Sequence, residues 1–157
     1  MSAMISDKLR TYLEEQGIRY HVIHHRRDYT AQGAAADTHT PGREFAKSVV
    51  LRVDGSFAIA VLPAHCRIDL EKARRELGAQ AMALATEEEI QRLCPDCEVG
   101  AEPPFGNLYG LPVYLDRQLT ADEQITFNAG THEDAVRIRT GDFQRAANPR
   151  VLDLAAR

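Results

Sequence analysis

Three short segments carry residue types whose spacing suits work on an anionic or acyl ligand. The first is Phe45-Ala46-Lys47-Ser48-Val49-Val50-Leu51. A lysine at the mouth of an apolar strand projects a compact ammonium from a rigid base, suited to a phosphate or a developing oxyanion. The second is Gly100-Ala101-Glu102-Pro103-Pro104-Phe105-Gly106. Its prolines fix φ and lack N–H groups, and its glycines permit close approach of backbone to a ligand. The third is Phe127-Asn128-Ala129-Gly130-Thr131-His132, a strand end whose turn presents a histidine able to hold water or move a proton near neutral pH. Each also has a plain structural reading: a solvated lysine, a stiff surface turn, and a turn capped by Thr131 or His132.

Other groups invite chemistry less strongly. Cys94-Pro95-Asp96-Cys97 suggests a redox pair or a zinc site. A redox pair wants its first thiol at a helix N-terminus, whereas this pair follows a predicted helix. A structural zinc site wants four ligands, and only Cys66 and scattered histidines remain. His21 and His25 share one face of a predicted strand and His24 takes the other, with no acidic partner evident nearby. Arg67, Lys72, Arg74 and Arg75 cluster on or near one helix, where Glu71 and Glu76 are ready partners. Arg137 and Arg139 share one strand face, either solvated or part of a docking patch for an RNA end.

Several elements must position these segments. Apolar Ile5, Leu9, Tyr12 and Leu13 predict a helix over Ile5–Gln16, capped by Ser6 or Asp7 and stopped by Gly17. Ile18–His25 alternates as a strand, and Thr30–Thr38 is an Ala-rich helix weakened by Gly33. His39–Gly42 is a turn. Lys47–Val53 and Ser56–Leu62 flank Asp54-Gly55, a two-residue hairpin signature. Asp69–Leu77 is a helix ending at Gly78, and Thr86 with Glu89 forms a capping box opening a helix through Leu93. Gly100–Gly110 is read as irregular. Leu111–Leu115, Ile125–Asn128 and Ala135–Arg139 are short strands, and Asp142–Ala147 is a final helix. Hairpins mixed with peripheral helices predict a mixed α/β domain, not a doubly wound nucleotide fold. No Gly-rich phosphate motif is present.

The chain has 157 residues, which predicts a single domain over 1–157 with room for a real core. No apolar run approaches bilayer length, and Met1–Arg10 lacks a signal-like apolar stretch, so no membrane role is expected. Three cysteines argue against a disulfide framework and for a reducing, cytoplasmic setting. A formal charge of -4 excludes broad coating of nucleic acid, and DNA is not an expected partner. Any RNA contact should be local.

Taken in order, Phe-Ala-Lys-Ser-Val-Val-Leu, Gly-Ala-x-Pro-Pro-Phe-Gly and Asn-Ala-Gly-x-His resemble the YbaK / prolyl-tRNA synthetase editing-domain family across nearly the whole chain. The resemblance implies a mostly antiparallel, mixed-sheet, barrel-like core surrounded by helices. It implies a free-standing, trans-editing aminoacyl-tRNA deacylase that cleaves a mischarged small amino acid from the 3′ acceptor end of tRNA. Water would be the nucleophile, helped by the substrate's ribose hydroxyl, with no metal and no cofactor. By that resemblance Lys47 engages the terminal phosphate or ribose. Gly100, Pro103 and Gly106 shape the amino-acid pocket and supply backbone donors, and Gly130 and His132 line it. Phe45, Ser48, Pro104, Phe105, Asn128, Ala129 and Thr131 are the expected neighbouring contacts. The sequence has no Gly-x-Ser-x-Gly elbow, consistent with chemistry that needs no protein nucleophile. Two alternatives stand beside this: a non-catalytic tRNA- or nucleotide-binding module of the same fold, and a thiol or zinc regulator built on Cys94 and Cys97.

Overall fold

The computed structural model describes residues 6–156. The predicted helix start at Ile5 therefore lies outside the described residues. Helix α1 spans Asp7–Glu15, with the Ser6 hydroxyl accepting from the Leu9 amide. Leu9 and Leu13, one helical turn apart, are both fully buried against the core. Strand β1 is His21–His24 and helix α2 is Ala31–Asp37, capped by Thr30.

The hairpin forms where the Asp-Gly pair predicts it. Strands β2 (Ala46–Val53) and β3 (Ser56–Pro63) pair antiparallel, and Asp54 and Gly55 both adopt positive φ. The Asp54 carboxylate also accepts from the Gln80 and Ala81 amides. Those hydrogen bonds hold the segment leading into β4 (Met82–Leu84), an edge strand paired with β2. Between them, α3 (Leu70–Leu77) starts at an Asp69 cap and ends at left-handed Gly78. Helix α4 (Glu87–Leu93) opens with both hydrogen bonds of the Thr86/Glu89 capping box. Strands β5 (Val113–Asp116), β6 (Gln124–Asn128) and β7 (Asp134–Arg139) follow. Helix α5 (Thr140–Ala147) and strand β8 (Arg150–Leu152) complete the order.

The strands form two sheets, β1-β7-β6 and β4-β2-β3-β5-β8. Pairings are antiparallel except β3 with β5 and β5 with β8, so the mixed, mostly antiparallel expectation holds. The barrel-like expectation needs correction. Among the described residues neither sheet closes on itself, and a single parallel bridge, Phe45 to Thr126, joins one sheet to the other. Closure needs a continuous ladder around the ring. Two further corrections concern short elements. Residues 106–109 form a 3-10 turn inside a stretch read as irregular, and β4 and β8 are strands the sequence pattern does not announce. The core lies between the sheets, built on Ile59, Val61, Phe105, Leu115, Phe127, Val136 and Phe143.

Gly106 is required by that packing, not by its φ. A Cβ there would sit 2.7 Å from the Leu111 carbonyl oxygen and 2.9 Å from Val113 Cγ2. The Leu111 amide also donates to the Gly106 carbonyl, so the backbone cannot easily give way. Gly106→Ala is expected to lower stability by about 1–3 kcal/mol, read as a lower urea midpoint with unchanged slope.

Candidate functional site

The second and third segments meet. The Gly130 amide donates to the Ala101 carbonyl and the Glu98 amide to the Gly130 carbonyl, at 2.9 and 2.8 Å. The His132 amide donates to Glu98 Oε1 at 2.7 Å, and His132 Nε2 lies 2.8 Å from the Val99 carbonyl oxygen. A carbonyl only accepts, so Nε2 donates to it, which leaves the second ring nitrogen, Nδ1, to find its own partner. That Nδ1 is buried with no partner among the described residues. His132 is almost fully buried, with the exposed Tyr29 ring at 4.8 Å and Gly100 beside it. Its imidazole therefore fastens the loop at Val99–Gly100. Gly130, at φ +101, lies where a Cβ would press on Ser6.

Glu102 sits inside the same loop, and its residue type alone does not single it out. It is 3% exposed, and its Oε2 accepts the Gly100 amide at 2.6 Å. Burial pushes its carboxyl up to about 7 against the opposing pull of backbone N–H groups. The only signal in the sequence is an acid wedged between Ala101 and two prolines. The Ala101 amide donates to the Glu98 carbonyl. The Gly100 and Ala101 N–H groups are thus both engaged within the protein, and Pro103 and Pro104 have none.

Lys47 lies on β2 opposite Leu62 and is half-buried. Burial lowers its pKa, Cys66 opposes that shift and Arg67 adds to it. No carboxylate pairs with it among the described residues. A partly desolvated cation without a counter-ion is costly, and an anionic ligand would relieve that cost. Cys66 and Arg67 line a neighbouring cavity of about 580 Å³ together with His65, Lys72 and Gln118. The Phe45–Thr126 bridge runs parallel, so the pleat sets Lys47 and Asn128 on the same face at the ends of adjacent strands. Asn128 Oδ1 and Ser48 Oγ are buried and unpartnered among the described residues.

The remaining sequence-selected residues divide. Phe105 and Ala129 are fully buried in the main core, and the Phe105 ring packs edge-on with Tyr12, Phe127 and Phe143. They brace the loop and strand end from beneath. Pro103 and Pro104 are buried. Phe45 is buried against Ala34, Ala35 and Ala64, which ties the start of β2 to α2. The Thr131 hydroxyl donates to Asp134 Oδ2 and accepts the Asp134 amide, closing the turn.

Asp134 also corrects the reading of His24 as lacking an acidic partner. The β1–β7 register places His24 directly opposite Asp134, with Nδ1 2.8 Å from Oδ1. The hydrogen bond to Asp134 raises the pKa of His24. The order here is hydroxyl, carboxylate, imidazole, so His24 is not placed to take the Thr131 proton as a catalytic base. Cys94 ends α4 and is buried, while Cys97 Sγ lies 3.2 Å from the Tyr109 hydroxyl. Burial pushes both thiols up to about 12, opposite to the shift a reactive thiolate needs. Among the described residues, no group of three His, Cys, Asp or Glu side chains is placed to hold a metal ion. None of the described helices is long and apolar enough to cross a membrane.

With this geometry in place, comparison with known proteins defines the class. Residues 25–146 match the aminoacyl-tRNA editing domain, and the chain belongs to that family. Within it, the chain is 27% identical over 151 residues to the multifunctional Ser/Thr-tRNA deacylase ProXp-y of Escherichia coli K12, covering 93% of this chain and 90% of that protein. The O157:H7 protein of the same name matches equally. Among solved structures, a candidate trans-editing enzyme for prolyl-tRNA synthetase superposes with a TM-score of 0.87 over the whole of both chains at 24% identity. A scaffold from computational epitope grafting superposes at 0.86, with 23% identity and 97% of each chain covered. These likenesses establish the YbaK-like fold.

Proposed function

We propose that this protein hydrolyses the ester joining a small amino acid to the 3′-terminal adenosine of tRNA, acting in trans as a one-domain enzyme. The observation that carries the reading is the half-buried Lys47 ammonium, unpaired among the described residues, on the sheet face it shares with Asn128, in a chain of the editing family. Lys47 holds the negative charge of the terminal phosphate–ribose end. The wall made by Gly100–Gly106 and the Gly130–His132 turn bounds the amino acid. Water attacks the ester carbonyl carbon, the carbon–oxygen bond to the ribose breaks, and the ribose oxygen recovers a proton. The neighbouring ribose hydroxyl assists that transfer. An ester is activated enough for positioning and charge stabilisation to suffice without a protein nucleophile.

Discrimination in such a site is steric, since one methylene is worth about 1–3 kcal/mol. Serine and threonine esters are the first candidates, because the Escherichia coli relatives are Ser/Thr-tRNA deacylases. The test is release of amino acid from tRNAs charged with alanine, serine, threonine, cysteine and proline. Accelerated loss of one or two of these esters is the expected result. No turnover of any member, with tRNA still retained, would replace the enzyme by a binding module of the same fold.

A further inference from the structure

The outer face of the β1-β7-β6 sheet carries a second, strongly basic cavity. It encloses about 470 Å³ and is lined by Arg19, His21, Gln124, Arg137, Arg139 and Asp142, among others. Cross-strand register assembles it: His21 lies opposite Arg137, and Gln124 opposite Arg139. Arg137 is held rigidly, its Nε donating to Thr126 Oγ1 and its NH2 group to Thr40 Oγ1, at 3.0 and 2.9 Å. Arg19 and Arg139 are exposed, and their side chains have neither hydrogen bond nor ion pair among the described residues. Asp142, the one lining acid among the described residues, is already paired with Arg145 at 2.9 Å. A chain of net charge -4 thus gathers three guanidinium groups in one hollow, with no unpaired acid lining it among the described residues.

The position of this hollow suggests its ligand. Thr126 pairs with Arg137 across β6–β7 and is bridged to Phe45 on the other side. Alternation along β6 puts Gln124, Thr126 and Asn128 on one face, the face that Lys47 shares. The basic hollow therefore lies on the same sheet face as the candidate site, on the far side of the buried Thr126 from Asn128. Arg137 and Arg139 are about 7 Å apart along their strand.

We propose that this cavity binds the backbone phosphates of the tRNA acceptor strand next to the terminal adenosine. The inference rests on tRNA being the partner. Guanidinium forks suit phosphate oxygens, and a pre-oriented Arg137 loses little freedom on binding. Binding confined to one hollow also reconciles an acidic chain with an RNA partner.

The test is binding of uncharged tRNA to wild type and to Arg19→Glu/Arg139→Glu, titrated over a range of salt. Thermal melting checks that the variant is folded, and both positions are exposed. Affinity is expected to fall on the order of tenfold or more at about 0.1 M salt. The slope of log affinity against log salt should shrink by about one for each phosphate that the variant no longer neutralises. Arg139→Lys should keep most of the affinity because the charge remains. Equal affinity and equal slope for wild type and double variant would overturn the assignment, as would a wild type that does not retain tRNA. Weaker affinity for polyglutamate but not for tRNA would overturn it in favour of an acidic peptide. No hydrolysis is read here, so a protein that fails to cleave the ester can still bind tRNA through these residues.

Discussion

Lys47→Ala is expected to lower kcat/KM for deacylation by about 10²–10³-fold, the scale for removing one partner of a desolvated charge pair, here the cation that holds the terminal phosphate–ribose end. Three observations make this residue carry so much. It is half-buried, and burial already lowers its pKa. No acid among the described residues neutralises it. The loop N–H groups at Gly100 and Ala101, the alternative donors, are bound to Glu102 and Glu98. Lys47→Arg should recover only part of the activity, because a guanidinium keeps the charge but not the point geometry of an ammonium. Stability supplies the control. Removing an unpaired, partly desolvated cation should leave the thermal midpoint unchanged or raised. Full turnover in a well-folded Lys47→Ala protein would remove the lysine from the mechanism.

Local chemistry in the sequence is a good guide to this fold wherever the decision is local. Asp54-Gly55 announces its hairpin, Thr86 and Glu89 their capping box, and Gly78 the end of α3, because each signal and its structure lie within a few residues. Strands β4 and β8 are different. Each has three residues, too short for a period, and exists because another strand offers it a ladder. The parallel β3–β5 pairing is equally non-local. The same divide runs through the site. The order of the Lys47, Gly100–Gly106 and Asn128–His132 segments is readable along the chain. That His132 fastens Val99, or that Asp134 faces His24, depends on register across strands. Phe105 shows the limit of motif reading, since its ring belongs to the core beneath the loop. Arg137 and Arg139 are readable as a pair on one face. Arg19 and His21 join them only through the β1–β7 ladder and the turn before it.

Glu102→Gln is expected to change how stability depends on pH. The Glu102 carboxyl titrates near 7 in the folded protein, above its ordinary value of 4.5, because burial disfavours its charge. Between those two pH values the folded chain keeps a proton that the unfolded chain gives up. Stability from this group is therefore complete below about 4.5 and is lost as pH rises through about 7. With the side chain almost wholly buried, the loss is on the order of 3 kcal/mol across that window. Glutamine is neutral throughout. Its carbonyl can still accept the Gly100 amide, but its NH2 group needs an acceptor the carboxylate did not, so absolute stability at any one pH is a poor test. The difference between the two proteins is the informative quantity. Urea unfolding at several pH values from about 5 to about 7.5 should show wild type losing stability relative to Glu102→Gln as pH rises. Parallel profiles would mean that the N–H groups around the carboxyl fully offset its burial. The loop from Gly100 to Gly106 would then enclose a carboxylate at neutral pH, and its shape would owe nothing to a proton.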